Sequence, residues 1–142
     1  MKVEYKSLSG LLILCLLILL TACFSHEEQL VYNYYFVAVD GDEDMTLSYK
    51  LESGDYVEVV PPTVFSAGYN DDFIIAKLHP MYDWSVNRML TVYYIIPLKF
   101  KVHPSPDENR IGPLSEEEFE SKKIELNIPD DLRFTKVFKK LE

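Results

Sequence analysis

Met45-Thr46-Leu47-Ser48-Tyr49-Lys50-Leu51 alternates apolar and polar residues without a break. Met45, Leu47, Tyr49 and Leu51 share one face; Thr46, Ser48 and Lys50 share the other. That two-residue period predicts a half-buried strand. A sheet with one dry face then becomes the frame that the neighbouring segments must fit. Asp40-Gly41-Asp42-Glu43-Asp44 before it and Glu52-Ser53-Gly54-Asp55 after it are turns by composition.

Upstream, residues 30–39 are dense in Tyr, Val and Phe, which predicts one strand. Downstream, strands are expected at 56–60, closed by Pro61-Pro62, at 63–67 and at 73–78, stopped by Pro80. Residues 81–89 read as a loop or a single helical turn. The longest strand is expected at 90–102. Its even positions, from Leu90 to Val102, are apolar throughout, and Pro97 implies an edge or a bulge. Two helix signals close the chain. Ser115 with Glu118 makes a capping box, with Leu114 and Phe119 as its staple, and Glu118 with Lys122 is an i,i+4 pair. Asn127 and Pro129 end that helix, predicted at 116–126. Asp130 would cap a second, shorter one, in which Phe134, Val137, Phe138 and Leu141 form one stripe. The fold class is therefore α+β: an antiparallel meander of about six strands with the helical tail packed on one face.

The front of the chain carries an address. Lys2 and Lys6 precede ten apolar residues at 11–20, half the length that a bilayer-crossing helix needs. Leu20-Thr21-Ala22-Cys23 follows and resembles the lipobox of bacterial lipoprotein precursors. The resemblance implies diacylglycerylation of the Cys23 thiol, cleavage before it and acylation of the new amino terminus, so that two or three chains such as palmitate make a stable lipid anchor in the membrane of the cell envelope, its leaflet open. The expected organisation is a signal peptide at 1–22, a short polar tether at 23–29 and one globular domain at 30–142. The other reading is an uncleaved anchor helix.

Composition narrows the function. Cleavage would leave 120 of 142 residues and only Cys23 as a cysteine, so no disulfide or cysteine metal site is expected. Without Lys2, Lys6 and Glu4, the 14 basic and 23 acidic side chains become 12 and 22, about −10 in all. Such a surface repels nucleic acid, which is not an expected partner.

Candidate site residues fall in two groups. Lys77, His79, Lys99, Lys101 and His103 occupy odd positions of two expected strands and would form a basic stripe if those strands were neighbours. Edge lysines that discourage aggregation are the plainer account. Tyr82-Asp83-Trp84, beside Asn87 and Arg88, could stack on a sugar or anchor a partner, whereas the single tryptophan reads more simply as core. Asp40-x-Asp42-x-Asp44 has the opening spacing of a calcium loop, but Gly41 is misplaced and Leu51 stands where the bidentate glutamate belongs. His26, His79 and His103 lack metal-site spacing, and no nucleophile elbow or phosphate loop is present. No metal, cofactor or catalytic residue is expected.

Gly68-Tyr69-Asn70-Asp71-Asp72-Phe73-Ile74-Ile75-Ala76-Lys77-Leu78-His79-Pro80, then Tyr93-Tyr94-Ile95-Ile96, then Gly112-Pro113-Leu114-Ser115-Glu116-Glu117-Glu118-Phe119, is similar to a family of short bacterial lipoproteins classed as a domain of unknown function. The resemblance implies a secreted, lipid-anchored domain and brings no catalytic residues. The first expectation is thus a non-enzymatic accessory domain that binds an envelope protein or glycan. The alternatives are an immunity or inhibitor protein, whose acidity would speed association with a basic toxin or hydrolase, and a small glycan hydrolase.

Overall fold

A computed structural model describes residues 25–99 and 105–142. Four strands form a true meander: β1 (His26–Val31), β2 (Tyr34–Ala38), β3 (Thr46–Lys50) and β4 (Tyr56–Val60), paired antiparallel in that order. Pro61-Pro62-Thr63 then carries the chain to a second sheet. This sheet holds β5 (Val64–Tyr69), β6 (Phe73–Leu78), β9 (Val92–Pro97), β10 (Ile111–Leu114) and β11 (Lys136–Val137), in the order β10-β9-β6-β5-β11. Between β6 and β9 a separate hairpin projects, β7 (Met81–Tyr82) with β8 (Ser85–Val86). One helix, α1 (Glu116–Glu125), follows β10.

The result is three layers. Phe36, Leu47 and Val60 of the first sheet pack against Ile74, Ala76 and Ile96 of the second. Phe73, Ile75 and Ile95, on the second sheet's other face, pack against Phe119 of α1, Ile128 and Leu132. Strands β6 and β9 are therefore apolar on both faces, which explains their nearly continuous hydrophobic sequence. On the wet outer face of the first sheet, Lys50 Nζ lies 5.1 Å from the ring centroids of both Tyr35 and Tyr56 and 2.9 Å from Glu27.

The α+β class and the antiparallel pairing match the expectation, with eleven strands among the described residues instead of six. The strand at 46–50 forms, but the alternation holds only at Met45 and Leu47, both fully buried; past a register shift between Leu47 and Ser48, Ser48 is buried too and Leu51 is exposed. The capping box is made: Glu118 N–H donates to Ser115 Oγ at 3.3 Å, and Ser115 N–H to Glu118 Oε2 at 2.8 Å.

Other expectations need correction. The strand expected at 30–39 is a hairpin, because Tyr32-Asn33 makes a two-residue turn with Tyr32 at φ 50°. The tether expected at 23–29 is shortened, because His26 to Gln29 pair with β2. The loop at 81–89 contains the β7–β8 hairpin. The strand expected at 90–102 ends at Pro97; β10 pairs with β9 only as far as Ile95, so Pro97 stands at a local edge. The second helix does not form. Phe134 packs beside Phe119, while Phe138 crosses to the other side of the sheet and meets Phe36 edge-on at 4.8 Å. A strap that wraps the edge of a sheet places apolar residues on two faces, and here their spacing mimicked a helical stripe. The Glu118–Lys122 pair is also absent: the cap occupies Glu118, and Lys122 instead pairs with Glu125 at 2.7 Å.

Candidate functional site

The two ends of the layered body differ. Tyr32, Tyr34, Tyr49, Asp71, Leu98 and Lys99 line an open groove of about 300 Å³ at the end where the β1–β2 and β5–β6 turns meet. Each residue reaches it for a local reason. Tyr32 is carried on the left-handed turn, where its carbonyl accepts from Gln29 Nε2 at 2.5 Å. Tyr34 and Tyr49 are cross-strand partners, their rings edge to face at 5.1 Å. Asn70 Oδ1 accepts the N–H groups of Asp72 and Phe73, each at 2.9 Å, and so holds the acidic turn. Leu98 N–H donates to the Asp72 carbonyl at 2.8 Å, which brings Lys99 to the Asp72 carboxylate.

Two groups in the groove, Tyr34 and Lys99, have shifted titrations. Burial, with Tyr49 adding to it, pushes the Tyr34 hydroxyl up to about 12, so it stays a neutral donor. The hydrogen bond to Asp72 pushes Lys99 above the usual lysine range, so it stays an ammonium. A ring face, a carboxylate and an ammonium together can hold a polar ligand by stacking and hydrogen bonding.

At the opposite end stands the β7–β8 hairpin. Trp84 is 96% exposed, Met89 92% and Tyr82 60%. Asp83 and Trp84 both have positive φ, 46° and 61°, the turn that suits a tight hairpin and for which Asn-Gly is the usual choice. Placing a bulky aromatic there costs about 1 kcal/mol or more. The hairpin's base is pinned. His79 Nδ1–H donates to the Leu90 carbonyl at 2.6 Å, and Asn87 N–H donates to the Pro80 carbonyl at 2.9 Å.

Among the described residues the basic stripe does not assemble. β6 and β9 are neighbours, but Lys77 lies over the Phe65 and Phe134 rings at 5.0 and 4.8 Å. His79 is buried and stacked on Phe65 at 4.3 Å, with Nδ1–H on the hairpin's base and a buried Nε2 that has no hydrogen-bond partner among the described residues. Lys99 sits in the groove at the other end. Cys23, Lys101 and His103 lie outside the described residues. Tyr82 and Trp84 do share an exposed site, and the reading of Trp84 as core is overturned by its exposure. The groove tyrosines were missed because tyrosine in a strand reads first as packing. Asn33 amid the aromatic run was the usable signal for the turn that exposes Tyr32. Among the described residues no three His, Cys, Asp or Glu side chains are grouped to share a metal ion, and no helix is long and apolar enough to cross a membrane.

No curated protein and no solved structure matches this chain. Residues 32–138 match the model of a family described as "Protein of unknown function (DUF3997)", a span from the groove's Tyr32 to Phe138 of the C-terminal strap, and the chain belongs to that family.

Proposed function

We propose that this protein is a lipid-anchored envelope domain that acts by binding, with the tyrosine-lined groove as its binding site and an envelope glycan as its ligand. The observation that carries the reading is the polarity of the fold. Ser25, two residues after Cys23, enters at the end where His26 faces Ala38, whereas the groove lies where β1 turns into β2. An anchor on Cys23 would hold the groove away from the bilayer. Tyr32 offers a ring for stacking, Asp71 an acceptor and Lys99 a donor, the set that suits a sugar.

Two measurements test it. Cells fed labelled palmitate should label the chain, and Cys23→Ser should lose both the label and the membrane association. The full chain in detergent, titrated with soluble cell-wall glycan fragments, should show saturation transfer from tyrosine rings. Tyr32→Ala should weaken that binding about tenfold, equivalent to about 1.4 kcal/mol. Unchanged membrane association in Cys23→Ser, or glycan binding indifferent to Tyr32, would refute the corresponding half.

A further inference from the structure

The excursion from β6 to β9 exposes Met81, Tyr82, Trp84, Met89 and Leu90 within ten residues. The other exposed large apolar side chains among the described residues are scattered along the chain from Tyr32 to Val137. A concentrated exposed apolar segment marks a contact surface. Its position says with what. His26 pairs with Ala38, and its ring meets Phe138 edge-on at 5.9 Å. Leu141, three residues on, donates its N–H to the Phe138 carbonyl at 2.9 Å. Arg88, just beyond the hairpin, donates to the Lys140 and Glu142 carbonyls at 3.2 and 3.1 Å and reaches Glu43 at 3.4 Å. The chain's entry, its C-terminus and the hairpin therefore share one end. Cys23 is three residues from His26, a reach of about 10 Å.

We propose that the β7–β8 hairpin is a second membrane contact, its Trp84 tip resting in the lipid interface beside the acylated Cys23. The inference rests on the anchored reading above. Tryptophan and tyrosine prefer the headgroup level, where an apolar ring meets water at its polar edge. At this end Arg88 pairs with Glu43 and Lys140 with Asp42, and the hairpin turn itself carries the acidic Asp83 beside Trp84, so the contact rests on apolar rings and not on attraction to an anionic lipid. The acyl chains on Cys23 hold the protein at the membrane, and an inserted hairpin supplies a second point of contact. Two points also remove the free rotation of a single tether, which fixes the groove facing outward.

Trp84 is the chain's single tryptophan, so its fluorescence reports this site alone. The full chain, purified in detergent, is reconstituted into phosphatidylcholine vesicles with and without brominated acyl chains. The expected result is a blue-shifted emission that bromine quenches. Tyr82→Ser combined with Met89→Ser, both at exposed positions, should reduce the shift and the quenching while leaving the melting temperature unchanged. Vesicle-bound protein with water-like, unquenched Trp84 emission would overturn the hairpin proposal while leaving the anchor standing. Emission that shifts with protein concentration and not with lipid would overturn it too, in favour of self-association. Protein that fails to associate with vesicles, and whose membrane association in cells does not depend on Cys23, would refute the anchor instead.

Discussion

Gly68→Ala tests whether the C-terminal strap is fastened as described. Gly68 sits within β5, and its φ is not one that glycine alone can adopt, so the substitution is harmless to the local backbone. The obstacle is space. A Cβ at position 68 would lie 1.8 Å from the Arg133 carbonyl oxygen, 2.7 Å from its carbon and 3.3 Å from Phe134 Cα. These are backbone atoms and cannot swing aside as a side chain tip would. Reaching even a 3.0 Å contact requires the strap to recede by about 1 Å, against close packing that resists such shifts. Overpacking alone costs about 1–3 kcal/mol. The recession also strains the Phe138 N–H to Phe65 carbonyl bond at 2.8 Å and the Ser66 hydroxyl to Lys136 carbonyl bond at 2.9 Å, each worth about 1 kcal/mol. A loss of about 3 kcal/mol is expected, which lowers the melting temperature by roughly 10 °C for a domain of this size. Urea unfolding followed by circular dichroism measures it, and hydrogen exchange at the Phe138 amide should accelerate. Gly41→Ala is the control, since nothing lies within 4 Å of its would-be Cβ. If Gly68→Ala stays within about 0.5 kcal/mol of the parent, the range of ordinary surface substitutions, the strap does not lie against β5 as described.

Other perturbations follow from single features. Trp84→Gly should raise stability by about 1 kcal/mol in a thermal melt, because glycine takes the positive φ of 61° without strain, while it removes the proposed membrane contact. Tyr34 is held neutral to about 12 against an ordinary 10.0, so its contribution is intact below pH 10 and fades as pH rises toward 12; Tyr34→Phe should flatten alkaline unfolding in that window. Glu118 is held below its ordinary 4.5 by the Ser115 backbone N–H first and its hydroxyl second, so its contribution is present above pH 4.5 and is lost as pH falls through the lowered value. Acid titrations should show Glu118→Gln losing that dependence, and Ser115→Ala should cost about 1 kcal/mol at neutral pH.

Much of the body was legible because its signals are local. Alternation at Met45 and Leu47, the punctuation at Asp40 and Gly54, and the Ser115–Glu118 box all operate over fewer than ten residues, and each reports its own conformation. The C-terminal strap was illegible for the opposite reason. Phe134 and Phe138 are apolar because two different layers receive them, and a one-dimensional pattern cannot separate two faces of a sheet edge from one face of a helix. Pairing of β6 with β9 across the hairpin was likewise hidden, since nothing in Leu78 or Val92 names the other as partner.

The candidate sites show the same division more sharply. Residue chemistry pointed to Lys77 and His79, yet both are turned to internal contacts: the ammonium over Phe65 and Phe134, the imidazole stacked on Phe65 with its Nδ1–H on the Leu90 carbonyl. Tyr32 and Trp84 carry no catalytic signature, yet each is an aromatic ring held outward on a positive-φ turn, at opposite ends of the same stack. An aromatic in that conformation forgoes burial and accepts backbone strain, and nothing in packing compensates for either. For this protein the informative feature is therefore not which residues could do chemistry. It is which large apolar side chains the fold, having two well-filled cores to offer, leaves in water.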